Sequence, residues 1–220
     1  MAFNMIKKTL KNIVLALSAS ALLTLNGCVV FPAGHVPKTV FTDSHSNITK
    51  PTVYVSVMGY RGSPKNPTPM PTADPIYREM VYHAFVESGI FHNVYFDPAK
   101  KDDADIKMNV RIYEETHVGE AFLSALVSYL TLTIVPNFGY ISSTAEVSMI
   151  DSSDNIVSTV TESDSTDQLA GVLTIPVYVF SHKTMHEVGN SVITNEVAAG
   201  LLEQYKNHHI DVNHVSMKKS

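Results

Sequence analysis

The hydrophobic run Thr52-Val53-Tyr54-Val55-Ser56-Val57-Met58 is rich in β-branched residues and predicts a strand. A loop from Gly59 to Pro75 follows, with prolines at 64, 67, 69, 71 and 75. Ile76, Met80, Ala84 and Phe85 then recur at helical spacing, with Asp74 placed as an N-cap and Pro75 at the first helical position. Gly89 predicts the end of this helix and Ile90 a hydrophobic contact beyond it. His92 to Phe96 reads as a short strand. After a polar loop holding Lys100 to Asp103, Asp105 to Glu115 reads as a second long strand, with Ile106, Met108, Val110 and Ile112 on one face. Thr144–Ile150 and Ile156–Glu162 flank Asp151-Ser152-Ser153-Asp154-Asn155, a hairpin turn by composition. From about His182 to Lys206, Met185, Val188, Val192, Val197, Leu201 and Leu202 outline a closing helix. The predicted order is β-α-β-β, an apolar insertion, two strands, a second apolar insertion and a helix. The economical packing is an α+β fold, a mixed or antiparallel sheet packed by two main helices.

The two insertions fit neither period. Residues 121–141 carry no charge, and neither do residues 169–180. The first is long enough to span a membrane, but Pro136 breaks it and Ser124, Ser128, Thr131, Thr133, Asn137 and Gly139 dilute it. Core packing is one reading of these runs. The other is an exposed surface for a protein partner, for lipid or for another copy of the chain, with Leu126, Leu130, Leu132, Val135, Leu173 and Val177 as the interaction residues. Because the hairpin brings its two ends together, both runs are expected to meet at one end of the domain and to expose part of their surface.

The N-terminus is read as an address rather than as structure. Lys7, Lys8 and Lys11 precede an apolar stretch from Ile13 to Leu25, which is too short for a spanning helix. It ends in Leu25-Asn26-Gly27-Cys28, and Cys28 is the single cysteine of the chain. This sequence resembles the lipobox of bacterial lipoprotein signal peptides, although Asn26 departs from the usual small or aliphatic residue. The resemblance implies cleavage before Cys28 and acylation of its thiol. Val29, where such proteins carry Asp when retained at the inner membrane, implies an outer-membrane address facing the periplasm. The expected segments are a signal peptide over 1–27, an acylated tether over 28–50, a periplasmic α+β domain over 51–207 and a polar tail over 208–220. The 22 residues after Cys28, from 29 to 50, reach at most roughly 70 Å.

Composition narrows the function. The 220 residues carry 16 Lys and Arg against 21 Asp and Glu, a net charge of −5. Loss of Lys7, Lys8 and Lys11 leaves 13 basic residues and a net charge of −8, so charge does not draw the mature chain to anionic lipid. A basic nucleic-acid face is excluded on the same ground, and a lone cysteine excludes an intrachain disulfide and a thiolate zinc cluster. His182 and His186 are four apart but lack the zincin glutamate, since Lys183 stands in its place. His208, His209 and His214 lie in a polar terminus, and Glu114, Glu115 and His117 end a strand whose successive side chains diverge. No nucleophile elbow, phosphate loop or dinucleotide fingerprint is present, and no cofactor is assigned. The proline loop between Arg61 and Pro75 is a second candidate contact surface, because ligands often sit at such strand ends.

Ser88-Gly89-Ile90-Phe91, then Val94 and Phe96, then Ala104-Asp105-Ile106 resemble the N-terminal domain of the Tol translocation protein TolB. They also look like the α/β core of the curli-secretion lipoprotein. The resemblance covers about Val53 to Glu115 and implies a partner-binding or ring-forming envelope module rather than an enzyme. The expected function is a non-enzymatic outer-membrane lipoprotein that binds protein partners in envelope assembly or maintenance. The alternatives are a subunit of an oligomeric secretion channel and an envelope hydrolase whose site the sequence does not mark.

Overall fold

The computed structural model describes residues 27–39, 41, 50–131, 135–151, 153–171, 174 and 185–208. Its strands are β1 (Gly27–Pro32), β2 (Thr52–Arg61), β3 (Thr68–Pro69), β4 (Asn93–Tyr95), β5 (Ile106–Thr116), β6 (Asn137–Ile150) and β7 (Ile156–Gly171). Its helices are α1 (Asp74–Glu87), α2 (Val118–Leu130) and α3 (Met185–His208). The strands form a mixed sheet in the order β1-β7-β6-β5-β2-β3, with β4 also on β2. The fold is therefore α+β, as the periodicities predict, with α2 as a third helix where only an insertion was expected. The chain divides into two compact units. One holds residues 1–31, 117–140 and 167–185; the other holds residues 32–116, 141–166 and 186–220.

The larger unit is built on parallel pairing of β2 with β5, Val53 against Ile106 through Arg61 against Glu114. The strands are in register side by side, so Val53, Val55 and Val57 share a face with Ile106, Met108, Val110 and Ile112. That face is buried under α1 and α3. On the other face, polar side chains pair across neighbouring strands. Ser56 donates to Asn109 at 3.2 Å, Ser148 and Thr159 bond at 2.8 Å, and Tyr60 stacks on Tyr113 with ring centroids 5.0 Å apart. The Tyr113 hydroxyl donates to Glu146 at 2.8 Å, and burial together with this carboxylate pushes the phenol up to about 12.

Three local expectations are corrected. Asp74 does not cap α1. The N-cap is Ala73, and the Asp74 carboxylate instead accepts the Gly59 amide of β2 at 2.9 Å, fastening strand to helix. The buried stripe runs through Tyr77, Met80, Val81, Ala84 and Phe85, while Ile76 is exposed. The stripe turns this way because the Tyr77 ring lies against Gly59, where any Cβ would collide with it. Third, the segment read as a tether is partly built into the fold. Residues 27–32 are β1, Val29, Val30 and Val36 are buried, and Asn195 of α3 binds the backbone of Val36, Pro37 and Thr39. Asp164 accepts the amides of His35 and Val36. Burial works against this carboxylate, but the Ser165, Val36 and His35 amides and the His35 ring together hold it below its ordinary value. Gly89, by contrast, ends α1 as expected, at φ +64°.

α3 departs from a purely apolar face. Val188, Val192, Ile193, Val197, Ala198 and Leu201 are buried, whereas Leu202 is only half-buried. Glu196 and Gln204 are fully buried beside them. Gln204 is satisfied at both ends: its amide donates to the Val147 carbonyl at 2.8 Å and its oxygen accepts from Ser158 at 2.7 Å. Glu196 accepts from Ser143 at 2.7 Å through one oxygen, and its other oxygen makes no close hydrogen bond among the described residues. Burial, aided by the charges of Asp164 and Glu162 and opposed by the Ser143 bond, pushes Glu196 up to about 8.

Leu201→Ala should cost about 2–5 kcal/mol, because Leu201 is fully enclosed, and Leu202→Ala should cost clearly less. Denaturant melts of both variants check this, and equal losses would contradict the observed orientation of α3. For Glu196, folding takes up a proton between the ordinary carboxylate value of 4.5 and about 8. Its contribution to stability therefore falls as pH rises through that window and is level outside it. Glu196→Gln should flatten the decline in melting temperature across the same window. A variant with the wild-type slope would show that this carboxyl does not titrate there.

Candidate interaction surface

The first apolar run becomes α2 and the beginning of β6. In a helix packed on its own fold, large apolar residues turn inward and polar ones outward. α2 is arranged the other way round. Phe122 is 70% exposed, Leu123 64%, Tyr129 78% and Leu130 71%, with Leu126 and Val127 also exposed. At 100° per residue these six positions occupy about 160° of the circumference. Opposite them stand Ala121, Ser124, Ala125 and Ser128, and Ser128 is buried.

Hydrogen bonding explains why the small polar face is the inner one. The Ser124 hydroxyl sits against the Asn137 side-chain oxygen and accepts the Phe138 amide at 3.1 Å, tying α2 to the start of β6. Ala121 lies against Gly139, where a Cβ would stand 4.0 Å from its methyl group. The His117 ring, at the N-terminal end of α2, stacks on Tyr140 with centroids 3.9 Å apart. At the other end Thr131 donates to the Val127 carbonyl at 2.9 Å and accepts the Val135 amide at 3.2 Å. The apolar run is thus held to its own unit by hydroxyls, amides and small side chains. Its large side chains are left outside, and so are Val135 and Phe138.

Among the residues expected to form the interaction surface, Leu126, Leu130 and Val135 are exposed. Leu132, Leu173 and Val177 lie outside the described residues. Of the described parts of the two apolar runs, 121–131 with 135–140 and 169–171 with 174 fall in the same compact unit, while Ile141 falls in the other. No described helix is long and apolar enough to cross a membrane. Cys28 lies in β1, in the unit that also contains α2. The signal-peptide segment and the distal histidines His182, His209 and His214 lie outside the described residues. Among the described residues no group of His, Cys, Asp and Glu is arranged to hold a metal.

The remaining candidates have structural occupations. Glu114 faces Tyr77, and burial of the phenol, together with the charge and hydrogen bond of Glu114, raises Tyr77 well above its ordinary value. The proline loop is tied down: Thr68–Pro69 pairs with Tyr60 and Arg61, and Met70 donates to the Gly59 carbonyl at 2.8 Å. What the sequence did not mark was the inverted orientation of α2. The signal lay in the spacing of Ala121, Ser124, Ala125 and Ser128, four small residues on one helical face.

No protein-family model and no curated protein matches this chain. Among solved structures it is similar to a PelC dodecamer from Paraburkholderia phytofirmans, at 15% identity over 79% of this chain and 96% of that one, with a TM-score of 0.34. A point variant of the same dodecamer gives 14% identity over 77% and 96%, with a TM-score of 0.35. A neuraminyllactose-binding hemagglutinin homolog from Helicobacter pylori gives 9% identity over 85% of this chain and 98% of that one, with a TM-score of 0.43. A likeness this loose transfers neither an activity nor an assembly.

Because its large side chains already face outward, α2 should tolerate polar replacement. Leu126→Gln and Leu130→Gln should each change stability by no more than about 0.5 kcal/mol, while binding of a hydrophobic dye to the folded protein falls. A loss comparable with that of a core leucine would mean that α2 is covered.

Proposed function

We propose that this chain is a bacterial envelope lipoprotein, acylated on Cys28 and held at the outer membrane on the periplasmic side. It is non-enzymatic and serves as a binding component of an envelope assembly, with the outer face of α2 as its contact surface. The observation that carries the reading is the inversion of α2: six large side chains, five of them wholly apolar, face outward on a helix whose Ser124 hydroxyl is engaged inward. Leaving that much apolar surface in water is unfavourable by about 25 cal/mol per Å², and such a patch marks a contact surface. The Lys7 to Cys28 pattern supports the anchor, since the thiol stands directly after the apolar stretch and Gly27. In this reading the α+β unit is the part offered to protein partners. Its polar sheet face, with Tyr60, Arg111 and Glu146, suits reversible contacts.

Metabolic labelling with a fatty acid tests the anchor. The wild-type chain should incorporate label and sediment with membranes. Cys28→Ser should lose the label and either leave the membrane fraction or accumulate as the uncleaved precursor. Equal labelling of the two chains would remove acylation at Cys28, and with it the outer-membrane assignment.

A further inference from the structure

We infer that the occupant of the α2 surface is the lipid bilayer itself: α2 lies in the membrane interface with Phe122, Leu123, Leu126, Val127 and Leu130 among the acyl chains. This rests on the contact-surface reading above and names the partner. Three observations carry it. The exposed arc holds no charged residue and no hydrogen-bonding side chain apart from the Tyr129 hydroxyl. A protein-facing patch is expected to carry a polar rim and arginine anchors around its apolar centre, whereas an interfacial helix needs a continuous apolar face with an aromatic at its border. Second, the hydroxyls of Ser124 and Thr131 are consumed by the Phe138 amide and the Val127 carbonyl, so the helix presents few unsatisfied polar groups to an apolar medium.

The third observation is the shortness of the leash. Val29 and Val30 are buried in β1, directly after Cys28. A lipid carried on Cys28 would be separated from the folded unit by about one residue, roughly 3.3 Å of chain, instead of by a tether. The unit that contains Cys28 also contains α2. Acylation would hold that unit at the membrane surface and keep a helix whose single charge, Glu120, lies in its first turn at high effective concentration beside lipid. The negative net charge supplies no attraction to anionic lipid, so binding by α2 should not require anionic lipid and should not weaken as salt rises.

The chain contains no tryptophan, so a single introduced indole reports its own surroundings. Phe122→Trp replaces an exposed ring in α2, and Ile156→Trp replaces an exposed side chain at the start of β7 in the other unit. Each full-length variant is expressed in a bacterial host, extracted from membranes in detergent and reconstituted into phosphatidylethanolamine–phosphatidylglycerol vesicles with or without brominated acyl chains. The mass of the purified protein reads acylation separately, so failure of the anchor and failure of the α2 inference are distinguishable. In the Phe122→Trp chain the expected result is blue-shifted emission, most of which is lost to brominated lipid. In the Ile156→Trp chain the indole should be neither shifted nor quenched. The inference is overturned if the Phe122→Trp chain keeps the emission of a water-exposed indole in vesicles. It is equally overturned if that emission is blue-shifted but unquenched while the protein sediments as an oligomer, which would assign the surface to a second copy of the chain. Adding Leu126→Asp to the Phe122→Trp chain should restore the water-exposed emission without lowering the melting temperature. If that double variant unfolds, Leu126→Gln in the same background gives the same reading.

Discussion

Parallel pairing of β2 with β5 is the constraint on which the rest of the molecule depends. Neither strand can form this pair without a crossover, and α1 with β4 supplies one. Once the register is set, Val53, Val55 and Val57 stand in line with Ile106, Met108, Val110 and Ile112. That continuous apolar face requires a cover, and α1 and α3 both lie on it. A slip of one residue would turn every one of these side chains to the polar face. Cross-strand bonds such as Ser56 to Asn109 on that face would be lost with it.

Two polar residues on α3 make the packing more specific than an apolar stripe would. Gln204 reaches the Val147 carbonyl and Ser158, bridging helix to β6 and β7. Glu196 lies fully buried, and although the Ser143 hydroxyl and the Asp164 backbone amide favour its anion, burial pushes it far above the ordinary carboxylate range. A buried carboxyl that must be neutral lowers stability as pH rises. Its proton keeps it compatible with Asp164 and Glu162 on the neighbouring strand. Asp164 itself is held below its ordinary value, against its burial, because the Ser165 amide and the Val36 and His35 amides of the N-terminal segment converge on it. One strand thus carries a carboxylate stabilised as an anion while the helix against it carries one kept as an acid. The difference is set by how many N–H groups each can reach.

The two units follow opposite rules of solvation. In the larger one the helices turn their apolar faces to the sheet. In the smaller one α2 turns its small and hydroxyl-bearing face inward, because that is where Phe138 and Asn137 offer a donor and an acceptor. The large side chains then have nowhere to go but outward. Such an inversion is unfavourable in water and costs nothing against an apolar partner, so the same geometry that makes α2 a poor soluble helix makes it suited to contact.

The strand runs at 52–58 and 105–115, the helix stop at Gly89 and the Asp151–Asn155 turn were legible in the sequence, because each depends on local composition, a local period or a single backbone geometry. The α+β class followed from their order. The lipobox-like Leu25 to Cys28 is likewise a linear signal. Three things were decided only by tertiary structure. The direction in which α2 faces depends on which side chains find hydrogen-bond partners in β6, and an uncharged stretch looks the same whether its leucines point in or out. The incorporation of residues 27–39 depends on Asp164, 128 positions from its partner Val36, and on Asn195, 156 positions from Thr39. The burial of Glu196 and Gln204 depends on Ser143, Ser158 and the Val147 carbonyl, partners that a helical pattern cannot reveal. Local periodicity fixes which residues share a face, but only the partners that meet that face decide whether it is buried.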